Sequence, residues 1–435
     1  MDVNLTDSSK IITALRPYLY PNRSILIAFS GGIDSTVLLH ALVQLRSNYA
    51  LNLSAIYIHH GISEYADLWA SHCQKVCRQW QIPLHIAKVK INLNGNIEAQ
   101  ARTARYGAIT QQLQPNQVLM TAQHLNDQSE TFLLALKRGS GPTGLSAMPA
   151  ISPFAHSYLI RPLLTISRTT IENYAATHHL EWIEDESNQD THYDRNFLRL
   201  KVLPVLNQRW PQFNQMIARS AELCAEESQL IAELIQDQLQ HCLTLEKQLY
   251  LEPLLSMSDI KRNAILRAWF KLHQVDMPSR QQLKLLWQTV ALAREDANPI
   301  FKLQQIVIRR YQQVLYLLPH QSSLIDVILP WDMSSPLILP DHLGQLMVTT
   351  SIPATLRSPE EGERITIRFQ ARGRFSIVNR AGSRTIKKLW QELGIPPWMR
   401  HRIPLIYYNE TLISAVGIFT TLQGQGSSLA LIHTV

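Results

Sequence analysis

Residues 25–39 read ILIAFSGGIDSTVLL, and this stretch decides the fold. The apolar run that ends at Phe29 predicts a strand, Gly31 and Gly32 predict a turn, and the apolar-rich residues from Ser35 onward predict a helix. Glycines let the backbone approach a ligand closely, and a helix N-terminus presents unpaired N–H groups and the positive end of the helix dipole. The stretch therefore predicts a site for an anion, most often a phosphate.

The polar residues of this turn support the same chemistry. Ser30 and Ser35 supply hydroxyl donors, and Asp34 beside a bound anion requires a cation such as Mg2+ between the two. The turn matches neither the Walker motif nor the Rossmann motif, and the plain alternative is a glycine-rich turn with a capping aspartate. It resembles the SGGxDS signature of PP-loop ATP pyrophosphatases. That resemblance implies cleavage of ATP to AMP and pyrophosphate, with the nucleotide bound by Ser30, Gly31, Gly32, Ile33, Asp34 and Ser35.

Length and composition set broad limits on the protein. A chain of 435 residues predicts two or three domains, and 46% hydrophobic with 17% charged residues favours packed cores over disorder. The net charge of +7 is compatible with nucleic acid as a partner without proving it. Four cysteines, no secretory signal at the N-terminus and no apolar run of about eighteen residues predict a cytoplasmic protein that does not span a membrane.

Strands and helices alternate through the first part of the chain. Strands are predicted at 25–29, 54–58, 84–89 and 118–121, with helices between them and after the last. This alternation predicts a parallel sheet with helices on both faces, in which ligands lie beyond the carboxyl ends of the strands. The three stretches that contain candidate functional residues all follow such strand ends, at 30–35, 59–61 and 122–131.

The segment HLNDQSET, residues 124–131, carries two carboxylates at the start of a predicted helix. Asp127 as the cap and Glu130 three residues later fit a capping box, which is a purely structural interpretation. The functional interpretation places both carboxylates on one helix face, where they hold a cationic substrate. Spacing alone leaves both interpretations open.

A polar stretch without periodicity, residues 184–199, predicts a long loop that enters a helix carrying Arg195 and Arg199 on one face. A solvated helix with two arginines is the plain alternative. Long loops in compact domains are often functional, which favours a role in the site.

The rest of the chain predicts further domains. A helix is predicted at 211–239, a largely helical stretch at 258–293 and short strands at 300–318. The class expected is α/β, with an N-terminal nucleotide-binding domain on a parallel sheet, a mainly helical middle domain and a small α+β C-terminal domain. The expected bounds are 1–212 for the catalytic domain, 213–320 for the middle domain with its connector helix, 321–345 for a linker and 346–435 for the basic C-terminal domain.

The C-terminal domain owes its basic character to residues 364–402, which hold ten Lys or Arg and one acidic residue. Aromatic residues are interleaved with them, namely Phe369, Phe375, Trp390 and Trp398. Basic residues mixed with aromatic ones are typical of a nucleic-acid surface. If Arg384, Lys387 and Lys388 lie on one helix, they form an edge that follows phosphates. An ordinary solvated basic face is the alternative.

Together these segments resemble the bacterial tRNA(Ile)-lysidine synthetase family along nearly the whole chain. The resemblance is carried by SGGIDS at 30–35, HHG at 59–61, EAQARTARY at 98–106, HLNDQSET at 124–131, RPLL at 161–164, DESNQDTHYDRNFLR at 185–199 and the C-terminal run 382–407. The family usually has Asp where Asn126 stands and Ala where Ser129 stands. The first departure removes one negative charge and puts in doubt any role that needs three acids there.

The resemblance implies a two-step reaction. ATP adenylates the C2 oxygen of the wobble cytidine in a CAU anticodon of tRNA(Ile), releasing pyrophosphate. The side-chain amine of free lysine then attacks C2 and expels AMP to give lysidine. ATP and Mg2+ are the cofactors implied, free lysine and tRNA(Ile) are the partners, and a homodimer is a further possibility.

Roles for individual residues follow from this implied reaction. Asp34 is expected to hold Mg2+, Asp127 and Glu130 to bind lysine and take its proton, and Arg195 to stabilise charge. Residues expected to contact substrate or tRNA are His124, Arg102, Arg105, Arg199, Arg384, Lys387 and Lys388, and Glu98 is expected near Arg102 and Arg105.

Two other function classes remain to be weighed. A tRNA thiolase of the same nucleotide fold uses a catalytic cysteine or cysteine clusters, and Cys73 with Cys77 lack the usual CxxC spacing. A non-catalytic RNA-binding protein with a vestigial ATPase domain is disfavoured by the intact SGGIDS turn and the paired acids.

Overall fold

The computed structural model describes residues 6–61, 65–90, 97–294 and 297–434, and the side chains of residues 97–99, Glu98 among them, are outside that description. The chain divides into two units, Met1–Glu233 and Leu234–Val435. Among the described helices, none is both long and apolar enough to cross a membrane.

Strands and helices alternate in the first unit, as the sequence predicts. Its strands are β1 (Ser24–Ala28), β2 (Asn52–His59), β3 (Leu84–Lys88), β4 (Gln117–Met120), β5 (Ile151–Phe154) and β6 (Ser157–Ile160). Its helices are α1 (Asp7–Leu15), α2 (Ile33–Tyr49), α3 (Ala66–Gln79), α4 (Ile97–Gln112), α5 (Leu125–Lys137), α6 (Pro142–Leu145), α7 (Arg168–Thr177), α8 (Asp194–Phe197), α9 (Leu203–Arg209) and α10 (Phe213–Cys242), which contains the unit boundary.

One six-stranded sheet organises this unit, in the order β3-β2-β1-β4-β6-β5. β5 runs antiparallel to β6, and the other neighbouring pairs are parallel. Successive residues of β1 face opposite sides, because Ile25 and Ile27 pack in the cluster that includes α1, α2 and α7, whereas Leu26 packs with Ile109 of α4 and with Leu113, which directly follows that helix. The predicted parallel sheet with helices on both faces is confirmed.

The turn between β1 and α2 has a conformation that requires glycine. Gly31 has a φ of +81°, and a Cβ at this position would lie 2.7 Å from Ile183 Cδ1 and 3.0 Å from Cys73 Sγ. The Gly31 carbonyl also accepts a hydrogen bond from the Ile183 N–H at 2.9 Å. Gly32 is the N-cap of α2, so Asp34 lies in the first helical turn.

Helices α2 and α7 pack through a buried aromatic cluster. Ser167 caps α7, its hydroxyl accepting a hydrogen bond from the Thr170 N–H at 3.2 Å. His40 of α2 is 8% exposed, and its Nδ1 lies 3.0 Å from the Tyr174 hydroxyl. The His40 ring lies 5.0 Å from that of His178. This packing fixes α7, and with it Arg168, relative to the SGGIDS turn at residues 30–35.

The second unit combines a helical layer with antiparallel sheets. Its helices are α11 (Glu252–Leu255), α12 (Asp259–Leu272), α13 (Arg280–Leu286) and α14 (Ile386–Glu392). Its strands are β7 (Leu249–Tyr250), β8 (Ile300–Leu303), β9 (Ile306–Tyr311), β10 (Val314–Pro319), β11 (Ile328–Pro330), β12 (Leu337–Ile338), β13 (Gln345–Val348), β14 (Ile365–Arg368), β15 (Arg374–Phe375), β16 (Arg384–Thr385), β17 (Leu405–Tyr408), β18 (Thr411–Ala415), β19 (Phe419–Thr420) and β20 (Leu431–Thr434). One core surrounds Trp269 and Phe270, and another surrounds Phe369 and Tyr408.

The segment 321–345 does not form the linker that its prolines predict. β11 pairs with β14 at the edge of the five-stranded sheet β11-β14-β17-β18-β19. Leu324, Trp331 and Leu339 are buried in the core of that sheet. Prolines fit because an edge strand tolerates a missing N–H donor. We therefore propose that the C-terminal domain begins at residue 321 rather than 346.

The aromatic residues expected on a nucleic-acid surface pack inside the second unit. Phe369 and Trp390 are buried in hydrophobic cores, and Phe375 packs against the core that contains Trp390. Trp398 is buried against Tyr316, with ring centroids 5.1 Å apart. In this fold these side chains supply packing energy rather than exposed stacking surfaces.

The environment of His40 predicts a pH dependence of stability. Burial, together with His178 nearby, lowers the pKa of His40 to about 4. Between pH 6.5 and 4, His40 binds a proton in the unfolded chain but not in the folded chain. The free energy of unfolding therefore falls as the pH falls through this window. The loss is about 3 kcal/mol at most, at about 1.4 kcal/mol per pKa unit.

Thermal unfolding of wild type and His40→Gln between pH 4 and 7 measures this effect, and the variant should lose part of the acid sensitivity. His156→Gln, which removes an exposed histidine of the same unit, serves as the control. Equal pH dependence in wild type and His40→Gln would show that His40 does not titrate in this window.

Candidate active site

The six residues of the SGGIDS turn form a structured loop. The Ser30 N–H donates to Ser35 Oγ at 3.3 Å, and the two serine hydroxyls are 3.1 Å apart. Ser35 Oγ donates to the Gly32 carbonyl at 3.0 Å, and the Ile33 side chain is buried in the core. The loop therefore keeps its shape through its own hydrogen bonds and leads into the N-terminus of α2, where an anion is favoured.

Asp34 has an arginine partner that the sequence analysis missed. Both carboxylate oxygens of Asp34 lie 3.0 Å from Arg168 Nη1, at the start of α7. Arg168 Nε contacts Glu172 at 2.8 Å, and the Arg168 N–H donates to Asn126 Oδ1 at 3.2 Å. The amide oxygen of Asn126 thus binds the backbone N–H of the first residue of α7. This hydrogen bond does not require the negative charge of an aspartate.

His124 lies between two carboxylates at the start of α5. It is the N-cap of the helix, its Nδ1 accepts a hydrogen bond from the Asn126 N–H at 3.2 Å, and its side chain is nearly fully buried. Because Nδ1 accepts, Nε2 carries the proton of the neutral ring, and Nε2 lies 3.5 Å from oxygens of both Asp34 and Asp127. His124 connects the two acids.

The capping box of α5 differs from the one predicted. Asp127 is the third residue of the helix rather than its cap, and its Oδ2 accepts the His124 backbone N–H at 3.0 Å. Glu130 takes no part in the capping box. The prediction failed because histidine is not among the usual capping residues, whereas aspartate is.

Glu130 is fully buried, with both oxygens held by arginines. Arg199 Nε lies 2.6 Å from Oε1 and Arg199 Nη2 lies 2.9 Å from Oε2, while Arg195 Nε lies 3.1 Å from Oε2. Arg199 Nη2 also donates to Asp127 Oδ1 at 3.1 Å. The expectation that Arg195 and Arg199 share a face is confirmed, because both reach the same carboxylate.

Burial and the two arginines act on Glu130 in opposite directions. Burial raises the pKa of the Glu130 carboxyl, whereas the hydrogen bond and charge of Arg199 and the charge of Arg195 work against that rise. The Glu130 side chain is 0% exposed, compared with 16% for Asp127 and 30% for Asp34. A ligand can therefore reach Asp127 and Asp34, whereas Glu130 is positioned to hold the arginines.

These contacts form one continuous network within the first unit. It runs from Arg168 through Asp34, His124, Asp127, Arg199 and Glu130 to Arg195. The residues come from four separate segments of the chain. The structure thus brings together the nucleotide turn, the paired acids and the loop arginines predicted from the sequence.

Other predicted site residues lie outside this network in the described contacts. Arg102 of α4 is exposed, with its guanidinium 5.2 Å from the Tyr106 ring centroid. Burial, with the charge of Arg105 nearby, lowers the pKa of His60 to about 4. Arg105 therefore stands near the end of β2, which the sequence predicts as part of the ligand edge.

The basic residues predicted near the C-terminus divide between two elements. Lys387 and Lys388 belong to α14, whereas Arg384 precedes the helix in β16, so the three do not share one helix as expected. Glu392 lies 3.8 Å from Arg384 and 4.0 Å from Lys388. Part of this positive charge is therefore neutralised within the domain.

Three family models match consecutive parts of the chain. Residues 4–206 match a PP-loop domain, residues 249–316 match the TilS substrate binding domain, and residues 365–431 match the TilS substrate C-terminal domain. A solved U34-tRNA thiolase from Methanococcus maripaludis is 18% identical, covering 51% of this chain and 78% of that one with a TM-score of 0.44, which is too distant to bear on activity.

Curated relatives are similar over almost the whole chain. The tRNA(Ile)-lysidine synthase of Edwardsiella ictaluri is 51% identical, covering 94% of this chain and 95% of that protein. The Proteus mirabilis enzyme of that name is 52% identical, covering 96% of each, and the Pectobacterium atrosepticum enzyme is 53% identical, covering 92% of each. The chain belongs to the tRNA(Ile)-lysidine synthase family.

Proposed function

We propose that this protein uses ATP to adenylate the wobble cytidine of a CAU-anticodon tRNA(Ile) and then joins free lysine to it, releasing AMP and pyrophosphate. The observation that supports these residue roles best is the network from Arg168 to Arg195, because it puts the nucleotide turn, an accessible acid and two arginines side by side. The reaction belongs in the cytoplasm, where tRNA, lysine and ATP meet.

The residues around Asp34 fit a magnesium ion. Mg2+ is typically held by one or two carboxylates together with substrate phosphates, and the partly exposed Asp34 follows the SGGIDS turn where the phosphates of ATP would lie. Bound there, Mg2+ neutralises charge on the pyrophosphate that leaves. We propose that Arg168, the partner of Asp34 here, turns from the carboxylate to the phosphates when ATP is bound.

Asp127 is the acid we assign to lysine. At a reference pKa near 10.4, only about one lysine amine in 2,500 is neutral at pH 7, a deficit of about 4.6 kcal/mol. A carboxylate that binds the ammonium group and accepts its proton offsets part of this deficit. Asp127 is the member of the pair that lysine can reach, so we assign Glu130 to positioning Arg195 and Arg199.

Arg195 and Arg199 are assigned to the negative charge of the nucleotide. The side chains of Arg195 and Arg199 are each about one third exposed, so each keeps a part open to a ligand while Glu130 holds another part. Two fixed arginines stabilise charge that develops on a phosphate or on the activated base. The cytidine must leave its stack to react, so we expect it to enter this site as a flipped base.

Purified protein incubated with ATP, labelled lysine and CAU-anticodon tRNA(Ile) tests the proposed function. We expect lysine to enter the tRNA with one pyrophosphate released for each. Binding of tRNA without lysine incorporation, or transfer of sulfur instead, would refute it.

Asp34→Asn separates nucleotide chemistry from tRNA binding. Because the amide removes the charge that holds Mg2+, we expect pyrophosphate release to fall at least about 100-fold, beyond the effect typical of indirect metal contacts. Affinity for tRNA, measured by filter binding, should change less than about twofold. Glu172→Gln, which alters the other partner of Arg168, is the matched control. Undiminished pyrophosphate release in Asp34→Asn would exclude the metal role of Asp34.

Glu130→Gln and Asp127→Asn separate positioning from lysine chemistry. Removing the charge of Glu130 leaves two arginines without their buried partner, which typically costs about 3–5 kcal/mol, or about 10 °C in unfolding midpoint for a domain of this size. Asp127→Asn should leave the midpoint within about 3 °C and raise the KM for lysine at least tenfold. Calorimetry and lysine saturation curves measure both. If Asp127→Asn proves the less stable variant, with normal lysine saturation, the two roles are assigned the wrong way round.

A further inference from the structure

The C-terminal domain contains a small cavity beside α14. Its volume is about 170 Å3, and its lining includes the basic residues Lys387, Arg400 and His401 together with Ile386 and Trp390. Ligand pockets for drug-sized molecules have about 300–1,000 Å3. This cavity therefore suits a single chemical group rather than a whole nucleotide.

The basic residues of the cavity differ from their neighbours in pairing. Arg380 forms an ion pair with Glu392 at 3.0 Å, and Lys388 lies 4.0 Å from the same carboxylate. For Lys387 and Arg400, by contrast, the part of the chain that the structure describes offers no carboxylate within ion-pair distance. Two unneutralised cations thus line one cavity, where a negative charge would be stabilised.

Two of the four polar side chains that line the cavity contact backbone carbonyl groups. Arg400 Nε donates to the Ile395 carbonyl at 3.0 Å, which leaves its terminal nitrogens as donors. His401 Nδ1 lies 3.3 Å from the Phe369 carbonyl. Side chains held in this way lose little rotamer freedom on binding, so an anion gains more from them than from a freely moving surface arginine.

We propose that this cavity binds one phosphate group of the tRNA, held by Arg400 and Lys387 with His401 at its edge. The inference rests on the proposed function, since it takes tRNA as the partner. An arginine and a lysine around a small cavity match the charge and donor requirements of a phosphate, and an apolar ligand would leave both cations unneutralised. The cavity thus anchors tRNA at one point, in contrast to a diffuse basic face.

Filter binding of tRNA at several salt concentrations tests the proposal. Lys387→Gln and Arg400→Gln should each weaken tRNA binding about three- to tenfold. Each should also reduce the slope of log affinity against log salt concentration by about one, which is the slope contributed by one phosphate contact. Arg380→Gln, an arginine-to-glutamine change at a neutralised neighbour, is the matched control and should change affinity less than twofold. Lys388→Gln should have a smaller effect than Lys387→Gln. Equal effects of the two lysine variants would favour a general basic face and overturn the proposal.

A double variant tests whether one phosphate is shared. If Lys387 and Arg400 hold the same group, the double variant loses less affinity than the sum of the single losses. Strictly additive losses would indicate separate phosphates and overturn the assignment. Lys387 is exposed, so Lys387→Gln should fold normally. This variant still tests the proposal if Arg400→Gln is poorly folded.

Removing the 5′-terminal phosphate from the tRNA distinguishes the possible sources of the group. Loss of the Lys387 effect with this tRNA assigns the cavity to the terminal phosphate, and an unchanged effect assigns it to an internal one. If the wild type incorporates lysine while Lys387→Gln and Arg400→Gln bind tRNA normally, the cavity proposal fails and the proposed function stands.

Discussion

The contact between Asp34 and Arg168 joins the first turns of two helices, and the ion-pair network of the candidate site begins at it. Asp34 follows the nucleotide turn, and Arg168 begins α7 after a strand on the far side of β4. Both side chains are about one third exposed, so the pair contributes only about 0–1 kcal/mol to stability. Such a pair exchanges partners at little cost, which suits the proposed role of this carboxylate as a ligand of Mg2+.

The ion pairs of Glu130 with Arg195 and Arg199 differ from the Asp34–Arg168 pair in that their carboxylate is fully buried. The Glu130 carboxylate is inaccessible and both oxygens are occupied, so breaking these pairs leaves a buried charge unpaired, at a cost of several kcal/mol. The site thus combines one ion pair that is easily exchanged with another that is effectively permanent. Asp127 lies between them, through His124 on one side and Arg199 on the other. An acid at that position receives its orientation from the permanent pair and stays open to a substrate.

Much of this could be predicted from the sequence, because local patterns carry it. The SGGIDS turn and the alternating strands and helices each depend on residues that are close together in the sequence. Arg168 was missed because its partner is 134 positions away and the pair Ser167-Arg168 suggests only a helix start. The linker was predicted wrongly because prolines mark edge strands as well as loops. Phe369 and Trp390 were misplaced because composition does not tell a buried aromatic side chain from an exposed one.

The packing behind Gly31 has a consequence for the thermodynamics of ATP recognition. Ile183 and Cys73 fill the space that any side chain at position 31 would need. The Ile183 N–H also donates a hydrogen bond to the Gly31 carbonyl and holds it in place. The SGGIDS turn, which we propose holds the phosphates of ATP, is therefore preorganised and has no room to move away from an incoming nucleotide. Affinity for ATP should then carry little entropic penalty for ordering the loop, and most of the ordering on binding falls to the nucleotide itself.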